Sequence, residues 1–367
     1  MRILFNDLKS QWDLIKDDCT KQFEELFENS SFILGKPVQE FERAFAKYAN
    51  SEYAVGVSNG TDALKLSAQS LQLSGSIGVI IPANTFVATI FGLEQSWPNA
   101  EFTLVDCNEY HQINTDELRE VVAQTRDHYD HLVIVPVHLY GYTCDMDSIG
   151  SIAREYDCIV LEDASQAHGA TYGGKPVGSF GKVAAFSLYP GKNLGAAGDA
   201  GVITTSDPEI YKRLLLLRNV GSVKKYHHVV KGSNHRLDTL QAIILKEKLP
   251  YLDAWNSARR NIVKSYESRI KNDLITLPMT PEKVCPVHHV YPVLVDDRAK
   301  FQKYLDDNGI QHGIHYPVVI ENMEMYSFSK TNEVAVEYSS KMVSLPIHPF
   351  MSEQEVQYLC NKLNQYK

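Results

Sequence analysis

The sequence predicts an α/β protein, with a mainly parallel central sheet sandwiched by helices and a smaller C-terminal α+β domain behind it. Three observations carry that prediction. Residues 78–82, 102–106, 132–137 and 158–163 are nearly continuous apolar runs, as expected of strands buried on both faces. Helix-length intervals separate them, including residues 147–156 between the last two, and this alternation points to parallel pairing. Beyond residue 270 the segments shorten, with strand-like runs at 288–295 and 311–316, a helix over 297–308 and a final helix from Ser352.

The elements follow in order. Residues 11–50 carry apolar side chains at helical spacing (Phe23, Leu26, Phe27, then Phe41, Phe45, Tyr48), and Leu34-Gly-Lys-Pro37 breaks them into two segments. Residues 53–58 read as a strand, and Asn59-Gly-Thr-Asp62 as a turn opening a helix over 63–73. A strand, a glycine turn and a helix start present backbone N–H groups to an anion, although the same residues suit an ordinary N-cap. After residues 183–187, 201–205 read as a further strand and 208–219 as a helix. A loop rich in Lys, His and Tyr spans 221–236. The helical stretch 237–269, interrupted at Pro250, carries the chain out of the first domain, so the expected division is residues 1–250 and 251–367.

Composition narrows the function. A chain of 367 residues with 44% hydrophobic content can bury a sizeable core. Its net charge of -9 is spread along the chain without a Lys/Arg block, which argues against nucleic acid as a partner. The 6 cysteines are scattered with no CxxC pair, and so read as reduced core thiols. The paired histidines 227/228, 288/289 and 312/315 lack acidic or thiol ligands at metal spacing, so no metal is expected. No apolar run is long enough for a membrane span or a signal peptide, and a cytoplasmic protein is expected.

The chemistry concentrates around residues 183–201, an apolar strand running into a glycine-rich turn that carries Lys192. Just past a buried strand an ammonium loses solvation, its pKa falls, and the amine becomes a nucleophile for a carbonyl. Nine of the 21 glycines lie between Gly169 and Gly201, so the backbone there is expected to turn tightly or to approach something closely, a small flat ligand in the second case. Asp163 ends a buried strand and needs a cationic partner, a role a protonated pyridine nitrogen would fill. Ligands of open α/β sheets collect beyond the carboxyl ends of strands, where His138, Asp163 and Lys192 are all expected to fall. An oxidoreductase would need a GxGxxG turn that Val57-Ser-Asn-Gly-Thr61 does not supply. A non-catalytic nucleotide-sugar-binding protein would have no use for Lys192.

Across nearly its whole length the chain resembles the DegT/DnrJ/EryC1/StrS sugar aminotransferases, pyridoxal-phosphate enzymes of fold type I. The motifs that carry the resemblance are Phe32-Ile-Leu-Gly35, Asn59-Gly-Thr-Asp-Ala-Leu64, Pro82-Ala-Asn-Thr-Phe-Val-Ala-Thr89, Pro136-Val-His-Leu-Tyr-Gly141, Glu162-Asp-Ala-Ser-Gln-Ala-His-Gly169, Phe186-Ser-Leu-Tyr-Pro-Gly-Lys-Asn-Leu-Gly195, Lys225-Tyr-His-His228, Arg236-Leu-Asp238 and His315-Tyr-Pro317. The resemblance implies that Lys192 holds pyridoxal 5'-phosphate covalently and moves the proton, with Asp163 pairing the ring nitrogen. It further implies Gln166 beside the ring hydroxyl, Phe86 on the ring face, and Gly60, Thr61 and Ser187 on the phosphate. Asn234 would reach the phosphate of the neighbouring subunit in a homodimer, and Tyr189, His315 and Tyr316 would line the hexose site. The implied reaction passes an amino group from L-glutamate, by way of pyridoxamine 5'-phosphate, to a nucleotide-linked ketosugar. The loop Gly221-Ser-Val-Lys-Lys-Tyr-His-His228 is most similar to members that aminate C3 of dTDP-linked 6-deoxy sugars, with C4 amination the alternative, in the making of an aminosugar for O-antigen, other surface polysaccharide or a glycosylated metabolite. Relatives that dehydrate carry histidine at the lysine position, and this chain keeps lysine. Three departures stand out: Val319 and Glu321 replace a proline and a histidine expected near the sugar, His235 replaces a serine, and Ala200 a glycine.

Overall fold

The computed structural model describes all 367 residues. Helices α1 (Leu8–Asn29) and α2 (Lys36–Tyr48) come first, with Gly35 as the cap between them and Pro37 in the first turn of α2, where a missing N–H costs nothing. The strands that follow are β1 (Tyr53–Val57), β2 (Ile77–Pro82), β3 (Glu101–Val105), β4 (His131–Ile134), β5 (Ile159–Asp163), the two-residue β6 (Thr171–Tyr172) and β7 (Lys175–Pro176), then β8 (Val183–Ser187) and β9 (Gly201–Thr205). Seven of them make one sheet in the order β1-β9-β8-β5-β4-β2-β3. Neighbours pair in parallel from β8 to β3, whereas β9 runs antiparallel to both β1 and β8. That reversal was not legible in the sequence, and it matters. An antiparallel partner is reached by a loop that turns back at the same edge, without a crossover helix, so the β8–β9 loop and its Lys192 stay at the carboxyl edge of β8.

Helices α3 (Gly60–Ser70), α4 (Ala88–Glu94), α5 (Thr115–Thr125), α6 (Met146–Glu155) and α7 (Pro208–Leu217) cover the sheet. Alternate residues of β2 face opposite layers: Val79 and Ile81 pack with Leu64, Ile90 and Leu214, while Ile80 packs with Leu118, Val122 and Ile149. After the exposed hairpin β10 (Ser222–Lys224) and β11 (His227–His228), helices α8 (Thr239–Lys248) and α9 (Leu252–Arg269) are separated by a 3₁₀ turn at Leu249–Tyr251, the break expected at Pro250. The chain ends with β12 (Val284–Cys285), β13 (Tyr291–Leu294), α10 (Arg298–Asp307), α11 (Glu333–Lys341), β14 (Met342–Leu345) and α12 (Glu353–Gln365). β13 pairs antiparallel with β14, and Tyr266, Val293, Phe301, Leu345 and Leu359 form an apolar cluster of their own, which Ile3 joins from the start of the chain.

Two expectations fail here. Residues 311–316 form no strand, since only Gly313 bridges to Ser344 before the backbone turns away. α11 and β14 escaped the sequence reading because four residues become a strand only when a partner some fifty positions earlier completes the ladder.

A buried ion pair ties α2 to the end of α7. Arg218 Nη1 donates to Glu42 Oε1 and to the Gly56 carbonyl at 2.9 Å, while Glu42 Oε1 also accepts from Gly56 N at 2.7 Å. Removing one partner strands the other charge in a dry interior, so Glu42→Ala is expected to lower the unfolding free energy by about 3–5 kcal/mol. Urea denaturation measures it, and a loss of less than about 1 kcal/mol would place the pair in water-like surroundings.

Candidate active site

One cavity of about 610 Å³ opens at the carboxyl edge of the sheet and gathers Gly60, Thr61, Phe86, Asp163, Gln166, Ser187, Tyr189, Lys192, His315 and Tyr316. Of the residues singled out in the sequence, His138 and Asn234 lie outside it, Asn234 exposed on a segment whose backbone bridges Asn219.

β5 positions the carboxylate. Its successive side chains point to opposite faces, so Asp163 faces the cavity and Glu162 faces away. Asp163 Oδ2 accepts from Thr89 Oγ1 at 2.8 Å and Oδ1 from Ser165 N at 3.1 Å. A carboxylate offers about four acceptor sites, so capacity remains for a donor from a ligand. Glu162 Oε1 accepts from Phe180 N and Gly181 N, each at 2.7 Å, and its Oε2 from Gly178 N at 2.9 Å. Burial alone would raise the Glu162 pKa, but His138 and these N–H donors outweigh it and hold the carboxyl below its ordinary value. His138 therefore does not join Lys192 in the cavity as expected. Its Nδ1 accepts from Cys144 N at 3.2 Å, which leaves Nε2 to donate to Glu162 at 3.1 Å behind the strand.

Lys192 follows β8 on its loop, where Lys192 N donates to the Tyr189 carbonyl at 2.9 Å. Burial lowers its pKa from 10.5 to about 8, against the opposing pull of Asp163. A lowered pKa alone does not select this lysine. Lys248 is also brought to about 8 by burial, but its Nζ donates to the Gly195 carbonyl at 2.7 Å and does not line the cavity. Lys192 is in no ion pair with any carboxylate and faces the open space.

α3 begins on the cavity wall. Asn59 caps it, its side chain accepting from Asp62 N at 2.8 Å, and Gly60 and Thr61 supply the next N–H groups. A Cβ at Gly60 would come within 2.6 Å of Ser187 Cβ, so only glycine lets the helix start meet the end of β8. Within 169–201 a Cβ at Gly195 would meet the Pro190 carbonyl at 2.4 Å and one at Gly201 the Asn59 carbonyl at 2.3 Å, so at these two positions the close approach is to backbone and not to a ligand. Phe86 stands exposed to the cavity, its ring 5.0 Å from that of Tyr316. Gln166 is held by two bonds, accepting from Tyr140 N at 2.7 Å and donating to Tyr316 Oη at 3.1 Å. The site thus brings a carboxylate, a helix N-terminus, a hydroxyl, an aromatic face and a poised amine onto the wall of one cavity. That arrangement fits a flat aromatic ligand with a basic ring nitrogen, a phosphate and a carbonyl carbon.

Several contributors were missed. His289 lines the cavity, with Nδ1 3.2 Å from Asn193 Oδ1, and burial followed by the charge of Lys192 holds its pKa well below 6.5. His315 is lowered to about 4 by the same two causes. Both rings are neutral beside the amine at ordinary pH. Phe5 and Asn6 also line the wall, brought there from the chain's start. Nothing in the local sequence marks these residues, although Thr89 lies inside a quoted motif. Conversely, the departures at 319 and 321 are not part of the wall: Val319 packs in the sheet's core, and Glu321 Oε2 accepts from Asn332 Nδ2 at 2.6 Å. His235 instead reaches Asp62, Nδ1 to Oδ2 at 3.1 Å.

Comparison with known proteins places these features in context. The profile of the DegT/DnrJ/EryC1/StrS aminotransferase family matches residues 13–364. The chain is 42% identical over 369 residues to dTDP-3-amino-3,6-dideoxy-alpha-D-galactopyranose transaminase of Aneurinibacillus thermoaerophilus, covering 99% of each. It is 35% identical to dTDP-3-amino-3,4,6-trideoxy-alpha-D-glucose transaminase of Streptomyces venezuelae, covering 96% of this chain and 93% of that one. Among solved structures, S. venezuelae DesV in complex with a ketimine intermediate superposes with a TM-score of 0.93 at 33% identity, covering 99% of this chain and 98% of that one.

Proposed function

The chain belongs to the DegT/DnrJ/EryC1/StrS aminotransferase family, and we propose that it transfers an amino group to C3 of a dTDP-linked 3-keto-6-deoxyhexose, with pyridoxal 5'-phosphate as cofactor and L-glutamate as donor. The observation that carries the reading is the convergence of Asp163, Lys192 and the start of α3 on one cavity. The substrate class rests on the two relatives whose names specify dTDP-3-amino sugars.

When bound, pyridoxal phosphate supplies an electron sink and carries nitrogen between donor and acceptor. Asp163 keeps the ring nitrogen protonated, because a carboxylate fixed by Thr89 and Ser165 N favours a cation in contact with it. The N–H groups of Gly60 and Thr61, with the Ser187 hydroxyl, bind the phosphate at the positive end of α3. Phe86 would pack on the ring and Gln166 would bond its hydroxyl, both from the cavity wall. Lys192 Nζ would hold the cofactor and would serve in turn as base and as acid toward the amine-bearing carbon of the substrate. His315, Tyr316 and Tyr189 contact the hexose. Asn234 reaches the phosphate held by a second copy of the chain, so the working unit is a homodimer. Its exposed position outside its own cavity supports that role. The reading also takes residues 1–250 as a large cofactor-binding domain and 251–367 as a small one, which the separate C-terminal apolar cluster supports. We place the enzyme in the cytoplasm, in aminosugar synthesis for O-antigen or another surface polysaccharide. No helix is long and apolar enough to cross a membrane.

The deciding experiment incubates the enzyme with glutamate and a panel of keto nucleotide sugars and locates the new C–N bond by NMR. Nitrogen at C4 would overturn the proposed position, and no amination of any member would overturn the substrate class. A second expectation concerns Lys192 itself. A buried base sheds its proton at lower pH than an exposed one, so capture of pyridoxal phosphate by apoprotein should accelerate with pH and level off above about 8. A capture rate still climbing steeply at about pH 10, as for an ordinary lysine, would contradict the burial argument.

A further inference from the structure

The first residues of the chain form a strap along the cavity wall, which Phe5, Asn6 and Leu8 line. Ile3 N donates to the Gly309 carbonyl at 2.9 Å, the Ile3 carbonyl accepts from Gln311 N at 3.0 Å, and the Ile3 side chain is buried in the C-terminal cluster. Phe5 N then donates to Gln311 Oε1 at 2.8 Å, and Asp7 caps α1, which packs against α8 through Ile15, Leu26, Ile243 and Ile244. The strap is therefore fixed to the C-terminal cluster at one end and to the helical layer at the other.

Its middle faces the cavity. Phe5 stacks on His315 with ring centres 5.8 Å apart and planes 15° apart. A Cβ at Gly313 would come within 2.8 Å of His315 Cε1 and 3.5 Å of Phe5 Cζ, so glycine leaves the pair its room. Asn6 lines the cavity next to Phe5, its side chain near the Lys192 loop at Gly191. Its Oδ1 accepts from Asp7 N at 2.9 Å, which orients the carboxamide, while Nδ2 meets the Gly191 carbonyl only at 3.4 Å, too long for a good hydrogen bond. The amide hydrogens are thus available on the wall flanked by Tyr189 and His315.

We propose that Asn6 is a sugar-contacting residue, its Nδ2 donating to a hydroxyl or carbonyl oxygen of the hexose while Ile3, Phe5 and Asp7 hold the strap in register. This rests on the nucleotide-ketosugar reading above. The test titrates dTDP-glucose and, separately, dTDP into cofactor-loaded wild type and Asn6→Ala by calorimetry, with the visible spectrum of the bound cofactor recorded in each. The expected result is an affinity for dTDP-glucose about tenfold lower in the variant, with dTDP affinity and spectrum unchanged. Equal dTDP-glucose affinity in both proteins, or a loss that dTDP shares, would overturn the proposal while leaving the substrate class intact. Wild type that binds neither ligand would overturn the substrate class, and the strap's role with it.

Discussion

Lys192→Ala is expected to abolish covalent capture of pyridoxal phosphate and to lower transamination by about four orders of magnitude, the upper range for removing a positioned acid–base group. The variant should show no mass increase after borohydride reduction and no visible absorption of a lysine-bound cofactor. Folding should be preserved, because Lys192 is in no ion pair and its loop is held by backbone bonds, Lys192 N to the Tyr189 carbonyl and Ala196 N to the Leu188 carbonyl. A retained adduct would move the chemistry to another lysine. Lys248 would be the first suspect, since burial also lowers its pKa to about 8, but its ammonium is bonded to the Gly195 carbonyl and would have to leave that partner.

Asp163→Asn should lower both half-reactions about 10²–10³-fold, the range for deleting one preorganised electrostatic contact in a closed site. The substitution keeps the size and can keep the Thr89 bond, so what it removes is the charge that favours a protonated ring nitrogen. Cofactor should still bind through the phosphate end and Lys192. Stopped-flow measurement with saturating glutamate separates these effects, and a variant within about twofold of wild type would mean that Asp163 does not govern the ring.

Much of the site was legible because its parts sit at the ends of regular elements. Asp163 closes an apolar strand, Asn59-Gly-Thr61 opens a helix, and Lys192 follows a strand, so each could be found from local pattern together with the rule that ligands gather at carboxyl ends. The rule placed Asp163 and Lys192 correctly and His138 wrongly. It locates a residue along the sheet but not which way its side chain turns, and His138 turns behind the strand to satisfy Glu162. The glycine cluster misled for a related reason. A tight backbone approach can be to a ligand or to another part of the chain, and at Gly195 and Gly201 it is to backbone carbonyls.

The sequence by itself determined the α/β class, the positions of the core strands along the chain, the carboxylate and the lysine, because hydrophobic periodicity and turn chemistry are local and act over a few residues. Only the tertiary structure decided that β9 reverses and keeps the lysine loop at the carboxyl edge, that the divergent Val319 and Glu321 stand away from the cavity wall, and that Phe5 and Asn6 supply part of it. Those outcomes depend on contacts between segments up to hundreds of residues apart, such as Phe5 on His315. Their free energy exists only once the sheet and the C-terminal cluster have brought the partners together.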